Sequence, residues 1–397
     1  MTTRVVLVGG GLANGLIAWR LHSLPAVELT VVEREATLGG NHTWSFHDTD
    51  VTDAQLAWLA PFVAARWAGH DVEFPERRRQ LDGGYLSITA ERFHATLAAA
   101  LGGRMRLGTG VRSLSGNRVE LDDGRVLAAD LVLDGRGPGP VPSLEVRYQK
   151  FLGHFLELEQ AHGRTRPLLM DGTVPQRDGY RFVYTLPFAP KVVLVEDTYY
   201  SDTPDLDIPA LRREVTAYAA AQGFAVTRVL REETGVLPIV LAGDPERIWP
   251  RAEAGLPRTG IRAGLFHHTT GYSLPEAAAL ADDLAALATG PGGLGGSDRI
   301  GPWIRRRFLR RWRQQGFYRM LNRLLFVAAR PDERYRIMQH FYRLPEPTIA
   351  RFYAGRSNVG DMLRILTGKP PIPIPRALWS LLKPLPRVTS RVPKERA

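Results

Sequence analysis

The chain contains no cysteine. Disulfides, thiolate nucleophiles and cysteine-ligated metals are excluded with it. Long apolar runs are missing too. None approaches the roughly 18–20 residues that a membrane-spanning helix needs, so any membrane contact is expected to be peripheral. The apolar run after Arg4 meets glycine at Gly9 and reads as a buried strand, not as a signal segment. Acidic residues are absent between Asp298 and Asp332. Arginines from Arg299 to Arg330 alternate there with Trp303, Phe308, Trp312 and Phe317. Such a stretch is either a surface for an acidic membrane or the cationic solvent face of an ordinary helix. The formal charge of +11 permits nucleic-acid binding, but no recognition module accompanies it. No histidine pair has metal spacing with an acidic third ligand, and neither a serine elbow nor a Walker loop is present.

What is present starts at the N-terminus. Arg4–Val8 is a short apolar strand running into Gly9, Gly10, Gly11 and Asn14. Leu16, Ile17, Ala18 and Leu21 continue at helical density, and a second strand, Val27–Val32, ends at Glu33. Glycines let the backbone turn tightly and approach a pyrophosphate, and the helix N-terminus then faces its charge. A carboxylate about 20 residues on can accept hydrogen bonds from the adenosine ribose. Glu33 also argues against a 2′-phosphate in this pocket. The pattern departs from G-x-G-x-x-G in one place: Asn14 stands where the third glycine belongs, with Gly15 one place late.

A second signal lies far along the chain. Ile261–Phe266 has the look of a strand, His267–Ser273 is a polar turn, and Leu274–Leu287 is a helix with Pro275 in its first turn. Gly271, Tyr272 and Ser273 are therefore expected at a second helix N-terminus facing the cofactor. Two such sites favour FAD over NAD. Between them, Ala129–Leu133 is an apolar strand ending at Asp134, Gly135, Arg136 and Gly137. The stretches 148–159, 167–170, 181–186 and 192–197 read as strands, and 205–223 as a helix. The expected fold class is α/β: a Rossmann-like two-domain FAD-binding fold with an antiparallel-sheet substrate domain and a helical C-terminal region. Residues 1–140 with 255–297 would form a discontinuous FAD-binding domain and 141–254 the substrate domain. Residues 298–385 would be helical with a possible membrane-facing surface, broken by the prolines of 370–375, and 386–397 a tail.

Several long motifs carry a resemblance. They are GGGLANGLIAWRL at 9–21, GGNHTWSFH at 39–47, DGRG at 134–137, GYRFVYTLP at 179–187, VEDTYY at 195–200 and LREETGVLPI at 230–239. GLFHHTTGYSLP at 264–275, QQGFYRMLNRLLF at 314–326, FYRLPEPTIARFYAGR at 341–356 and RILTGKPPIP at 364–373 continue the series in order. The chain resembles the bacterial lycopene beta-cyclases over nearly its whole length. That family usually has proline where His268 stands, which alters the turn locally. The resemblance implies an FAD enzyme, active in the reduced form with NAD(P)H as the expected reductant. It implies cyclisation of the linear ends of lycopene, with gamma-carotene then beta-carotene as products. The long carotenoid would be met at a membrane, so the protein is expected to be cytoplasmic or peripheral on the cytoplasmic face.

Cyclisation needs a proton delivered to C2 of the terminal double bond, a cation at C1 held near the C5–C6 double bond, and a proton lost from C6. A carboxyl group in an apolar tunnel suits this, because desolvation raises its pKa. Glu196 ends an apolar strand and is the first candidate, and the resemblance puts the functional carboxylate there as well. Alternation turns Asp197 to the opposite face. Asp134 is the second candidate, at a strand end where ligands bind, with a supporting role through Arg136 the stronger reading. Trp44, Phe46, Tyr184, Tyr199, Tyr200 and Tyr272 could face a cation or be core residues. Glu232 and Glu233 read as structural, as do Arg343, Glu346 and Arg351. The alternative is a flavin-dependent monooxygenase or desaturase acting on a lipid or terpenoid, on the same scaffold. A non-catalytic surface binder using the arginine-rich stretch would leave both cofactor motifs unexplained.

Overall fold

The computed structural model describes residues 2–139, 143–367 and 373–382. The tail and residues 370–372 of the proline run lie outside the described residues. Thr3–Val8 pairs in parallel with Val27–Val32 on one side and Leu131–Asp134 on the other, and Met105–Arg106 completes a four-stranded sheet. Its two faces are both apolar, as a parallel sheet requires. Val5, Leu7, Val31, Leu131 and Leu133 pack under helices Leu12–Leu21 and Leu274–Thr289. Val6, Val8, Val32 and Val132 pack under a small antiparallel sheet of Val111–Leu114, Arg118–Leu121 and Val126–Ala128.

The second large sheet has seven strands. Its order is Val226–Gly243, Leu144–Leu158, Val192–Ser201, Tyr180–Ala189, Leu168–Asp171, His70–Phe74 and Arg77–Leu81. All neighbours are antiparallel except Leu168–Asp171 with His70–Phe74. One face carries Leu152, Leu156, Val183, Val193 and Val195 and is covered by helix Ile208–Ala221 through Leu211, Val215 and Ala219. The other carries Tyr184, Leu186 and Leu194 and belongs to a core shared with Tyr318, Phe341 and Phe352 of the C-terminal helices.

One expectation needs correction, one strand was not read from the sequence, and the sheets cut across the expected ranges. Ile261–Phe266 is not a strand: Gly260–Ala263 is a 3-10 turn ended by Gly264 in the left-handed region, φ 69°. The apolar run is buried because it is wedged between helices, not because it joins a sheet. Val226–Gly243, with its charged LREE segment, is the longest strand, and its pattern of exposure hides any clean alternation. The ranges 1–140 and 141–254 are also not the division by sheet, since residues 70–81 pair into the seven-stranded one.

The arginine-rich stretch is folded inward more than either sequence reading supposed. In helix Ser297–Gln314, Ile300, Ile304, Phe308 and Trp312 recur every fourth residue and are buried. Arg305 pairs with Glu246, Arg307 with Asp283, and Arg311 with Glu276 at 2.5 Å. The acids missing locally are supplied by other segments. No helix among the described residues is long and apolar enough to cross a membrane.

Candidate functional site

A cleft of about 630 Å³ opens at the C-terminal ends of the parallel strands. Gly9, Gly11, Glu33, Gly135 and Ser273 line it, with Arg34, Arg136, Thr109 and Thr259. Gly9 has φ 92°, and a Cβ there would meet the Gly135 carbonyl oxygen at 2.7 Å. Only glycine permits that turn. A Cβ on Gly11 would meet nothing within 4 Å, so the backbone there borders open space. Gly11 is also the N-cap of helix Leu12–Leu21, with no capping side chain and no acid in the first turn. Its first amides are left for an anion. The Glu33 carboxylate accepts from the Gly10 amide at 2.6 Å and the Glu35 amide at 2.9 Å, which fixes it at the rim. These donors, glycines and rim carboxylate fit a dinucleotide.

Asn14 does not line the cleft; it braces it from behind. Its Nδ2 donates to the Val8 and Gly9 carbonyls at 3.0 and 2.9 Å, and its Oδ1 accepts from the Thr259 hydroxyl at 2.7 Å. A Cβ on Gly135 would lie 2.5 Å from Asn14 Nδ2. Asn14 thus ties the first glycine turn to a segment 245 residues away.

A second cavity, of about 140 Å³, adjoins the cleft. His42, Trp44, Ile261 and Ser273 line both spaces. The cavity floor is the seven-stranded sheet, and its walls include Tyr85, Tyr184, Phe151, Leu194, Gly271 and Tyr272. Gly271 and Tyr272 therefore face the cavity, and only Ser273 of that trio also reaches the cleft. The Tyr85 and Tyr184 hydroxyls interact with that of Tyr272. What remains accessible of Glu196 faces this cavity, where its Oε1 accepts from the Thr198 hydroxyl at 2.9 Å. Burial pushes its carboxyl well above the ordinary range, and the charge of Glu233 adds to the rise. Glu233 lines the same cavity. Burial raises it too, opposed by Arg231 and the Thr43 hydroxyl, both 2.8 Å from its Oε2.

The family model described as lycopene cyclase protein matches residues 4–379. The chain belongs to this family. It is 51% identical to the lycopene beta-cyclase of Pseudescherichia vulneris, over 96% of this chain and 98% of the relative. Identity to the lycopene beta-cyclase of Pantoea ananas is 46%, over 95% and 97% of the two chains. Among solved structures, a geranylgeranyl bacteriochlorophyll reductase-like protein from Thermoplasma acidophilum has the same fold. The TM-score is 0.60 at 12% identity, covering 96% of this chain and 98% of that one.

Within this lycopene cyclase the two carboxylates singled out from sequence have separate settings. Asp134 lines neither space. It is buried, with Arg136 at 2.9 Å and Arg262 at 2.7 Å on its two oxygens. It joins the DGRG turn to the 260 segment, and acid–base work on a substrate in the cavity is corrected to that supporting role. Asp197 points away from the cavity, paired with Arg181 at 2.8 Å and bonded by the Tyr199 hydroxyl at 2.8 Å. Tyr199 lies with it, Phe46 is in the core under the parallel sheet, and Tyr200 bonds the Thr269 carbonyl. Trp44, Tyr184 and Tyr272 are the aromatic candidates that do line the cavity. His267 and His268 line neither space: His267 bonds the Phe352 carbonyl, and the His268 ring lies beside Trp312 and Arg319. Arg351 pairs with Asp361 and Arg79 with Glu346, both away from the cavity. Tyr85, Gln149 and Glu233 were not picked from sequence. Glu233 had a signal, since it lies inside a quoted motif, but it was read together with Glu232 as structural.

Proposed function

We propose that the chain is an FAD-dependent lycopene beta-cyclase that closes the linear ends of lycopene into beta-ionone rings, through gamma-carotene to beta-carotene, with no net oxidation. The observation that carries this reading is a desolvated carboxyl group, Glu196, in an aromatic-walled cavity contiguous with a dinucleotide cleft. Gly9, Gly11, Gly135 and the amides of helix Leu12–Leu21 would hold the FAD pyrophosphate, with Glu33 at the ribose. Reduced FAD, when bound, supplies an electron-rich ring against which positive charge can develop.

Glu196 is the general acid. Its raised pKa keeps a proton available at neutral pH, and that proton goes to C2 of the terminal double bond. The C5–C6 π electrons close on C1, and the C6 proton returns to the carboxylate. Trp44, Tyr184 and Tyr272 turn ring faces or edges into the space where the cation forms and exclude water that would trap it. NAD(P)H is the reductant in this reading, acting on FAD from outside the Glu33 pocket.

The carotenoid is delivered from a lipid surface. Helices Val359–Leu366 and Ile374–Leu382 expose Val359 (72%), Leu363 (59%), Leu378 (58%) and Leu382 (84%) beside the exposed Arg364 and Arg376. Exposed apolar side chains on helices that also carry exposed cations suit peripheral contact with an acidic membrane.

The test is anaerobic incubation of FAD-loaded protein with lycopene liposomes and NADPH or dithionite, with Glu196→Gln beside wild type. The expected product has unchanged mass and a blue-shifted spectrum, and Glu196→Gln loses roughly 100- to 10,000-fold in rate with FAD still bound. A product heavier by oxygen or lighter by two hydrogens overturns the cyclase reading in favour of a monooxygenase or desaturase.

A further inference from the structure

The sheet places three residues in one lateral row. Gly153 on the strand Leu144–Leu158 is the register partner of Glu196 on one side and of Glu233 on the other. Adjacent strands lie about 4.8 Å apart, so two glutamates on strands separated by a third start roughly 9.6 Å apart at their backbones. They meet only if nothing stands between them. Gly153 provides that gap: a Cβ there would sit 3.2 Å from Glu196 Cβ and 3.2 Å from Glu233 Cγ. The two side chains flank the glycine and face each other across it, close enough for each carboxyl group to perturb the other. Tyr184 extends the row on the far side of Glu196.

The partners of the two carboxyl groups differ. Glu233 has a guanidinium, Arg231, and the Thr43 hydroxyl on one oxygen, and its side chain is 1% exposed. Arg231 is anchored in turn by Glu91 and lies over the Phe155 ring at 4.2 Å. Among the described residues Glu196 has one neutral donor, Thr198, and no paired cation. A negative charge is therefore better placed on Glu233, and the shared proton on Glu196.

We propose that Glu233 is a fixed counter-carboxylate that positions and charges Glu196: Glu196 holds the proton by donating to ionised Glu233 across the gap left by Gly153. This rests on the cyclase reading and deepens it. When Glu196 gives its proton to the olefin carbon, two carboxylates face each other with Arg231 alone to offset them. That state places negative charge beside the carbocation and makes Glu196 a stronger base for the C6 proton. When that proton leaves carbon, its bonding pair forms the ring double bond and Glu196 is acid again. No external proton is consumed, and Glu233 is ionised throughout.

Other groups face the pair. His42, Tyr85, Tyr184 and Tyr272 approach from neighbouring elements, with Arg231 and Glu91 behind Glu233. His42 is pushed down by burial and then by Arg231, and the three tyrosines are pushed up by burial, which in each case favours the neutral form.

The experiment uses FAD-loaded full-length protein in three forms: wild type, Glu196→Gln and Glu233→Gln. Difference infrared spectroscopy follows the protonated-carboxyl band against pH, and the pH profile of kcat is recorded in parallel. Wild type is expected to show the band at neutral pH, and Glu196→Gln to lose it. In Glu233→Gln the band is expected to remain but to titrate about one to three units lower, because one charge at contact distance is gone. The alkaline limb of kcat should move with it. A band absent in wild type, lost in Glu233→Gln, or unshifted there overturns the proposal. Because the band is read without turnover, a protein that makes no cyclised product fails the cyclase reading alone.

Discussion

Gly153→Ala puts one methyl group into the gap between the two carboxyl groups. The backbone accepts it: Gly153 has no left-handed φ, and alanine in place of glycine lowers unfolded-state entropy by about 0.4–1 kcal/mol. The new Cβ meets Leu194 Cδ1 at 3.0 Å, a flexible chain end that can shift by a few tenths of an ångström. The two effects nearly offset, so stability should stay within about 1 kcal/mol of wild type. The carboxyl pair is affected differently. Moving charges from about 4 to about 5 Å apart at an effective dielectric of 20 changes their interaction by about 0.8 kcal/mol. Losing the direct charged hydrogen bond removes about 1.5–3 kcal/mol more. Both terms favour protonated Glu196 over its carboxylate, so losing them lowers its titration by roughly two to three units and cuts kcat by roughly 50- to 600-fold at pH values above the shifted midpoint, or about 15- to 50-fold if half the bond survives. The assay is product formation from liposomal lycopene under reducing, anaerobic conditions, with thermal unfolding and FAD content measured on the same preparation. Activity within twofold of wild type, with FAD bound and melting unchanged, would refute the claim that the gap at Gly153 serves the pair.

Three further outcomes are expected. Asn14→Gly restores the usual glycine spacing yet should destabilise the protein by about 2–4 kcal/mol, since buried bonds to Val8, Gly9 and Thr259 are lost. Denaturant titration with and without FAD checks it, and an unchanged midpoint rejects the bracing role. Glu232 is held down to about 2 by Arg212 first and then His154. A depressed carboxyl contributes stability above its unfolded value of 4.5 that is lost as pH falls toward about 2. Glu232→Gln should therefore melt lower than wild type near neutrality, with the gap closing between those pH values; a pH-independent gap contradicts this. Leu363→Asp with Leu378→Asp should weaken co-flotation with anionic liposomes while FAD binding is unchanged, and equal flotation removes these helices from the membrane reading.

The sequence was most legible where local pattern and tertiary structure agree. Thr3–Val8, the glycine turn, Leu12–Leu21 and Val27–Val32 form one continuous unit, and every signal in it is local. Glu196 was legible because a carboxylate after an apolar strand is conspicuous. Glu233 was not, because its place beside Glu196 depends on a register partner, Gly153, some eighty residues away in the chain. Asp134 read more as support through Arg136 than as a catalyst, and its second partner, Arg262, could not be read because it is distant in the chain. The arginine-rich stretch misled for the same reason: its acidic partners Glu246, Glu276 and Asp283 lie outside the window in which charge was read. The 3-10 turn at Gly260–Ala263 was read as a strand because a short apolar run carries no period that separates the two.

The bond from Asn14 to Thr259 also sets a schedule for the newborn protein. The first turn of the cleft leaves the ribosome early, but its brace is about 240 residues later, a delay of roughly 12 to 48 seconds at 5–20 residues per second. The partner strand Leu131–Asp134 arrives within that interval and the covering helix Leu274–Thr289 after it. Until then Thr3–Val8 has an unpaired edge and Leu12–Leu21 an uncovered apolar flank. The cofactor cannot act as an early template for this domain. It can only seal a cleft that synthesis has nearly finished, so FAD supply should govern how long the completed protein lasts more than how much of it begins to fold.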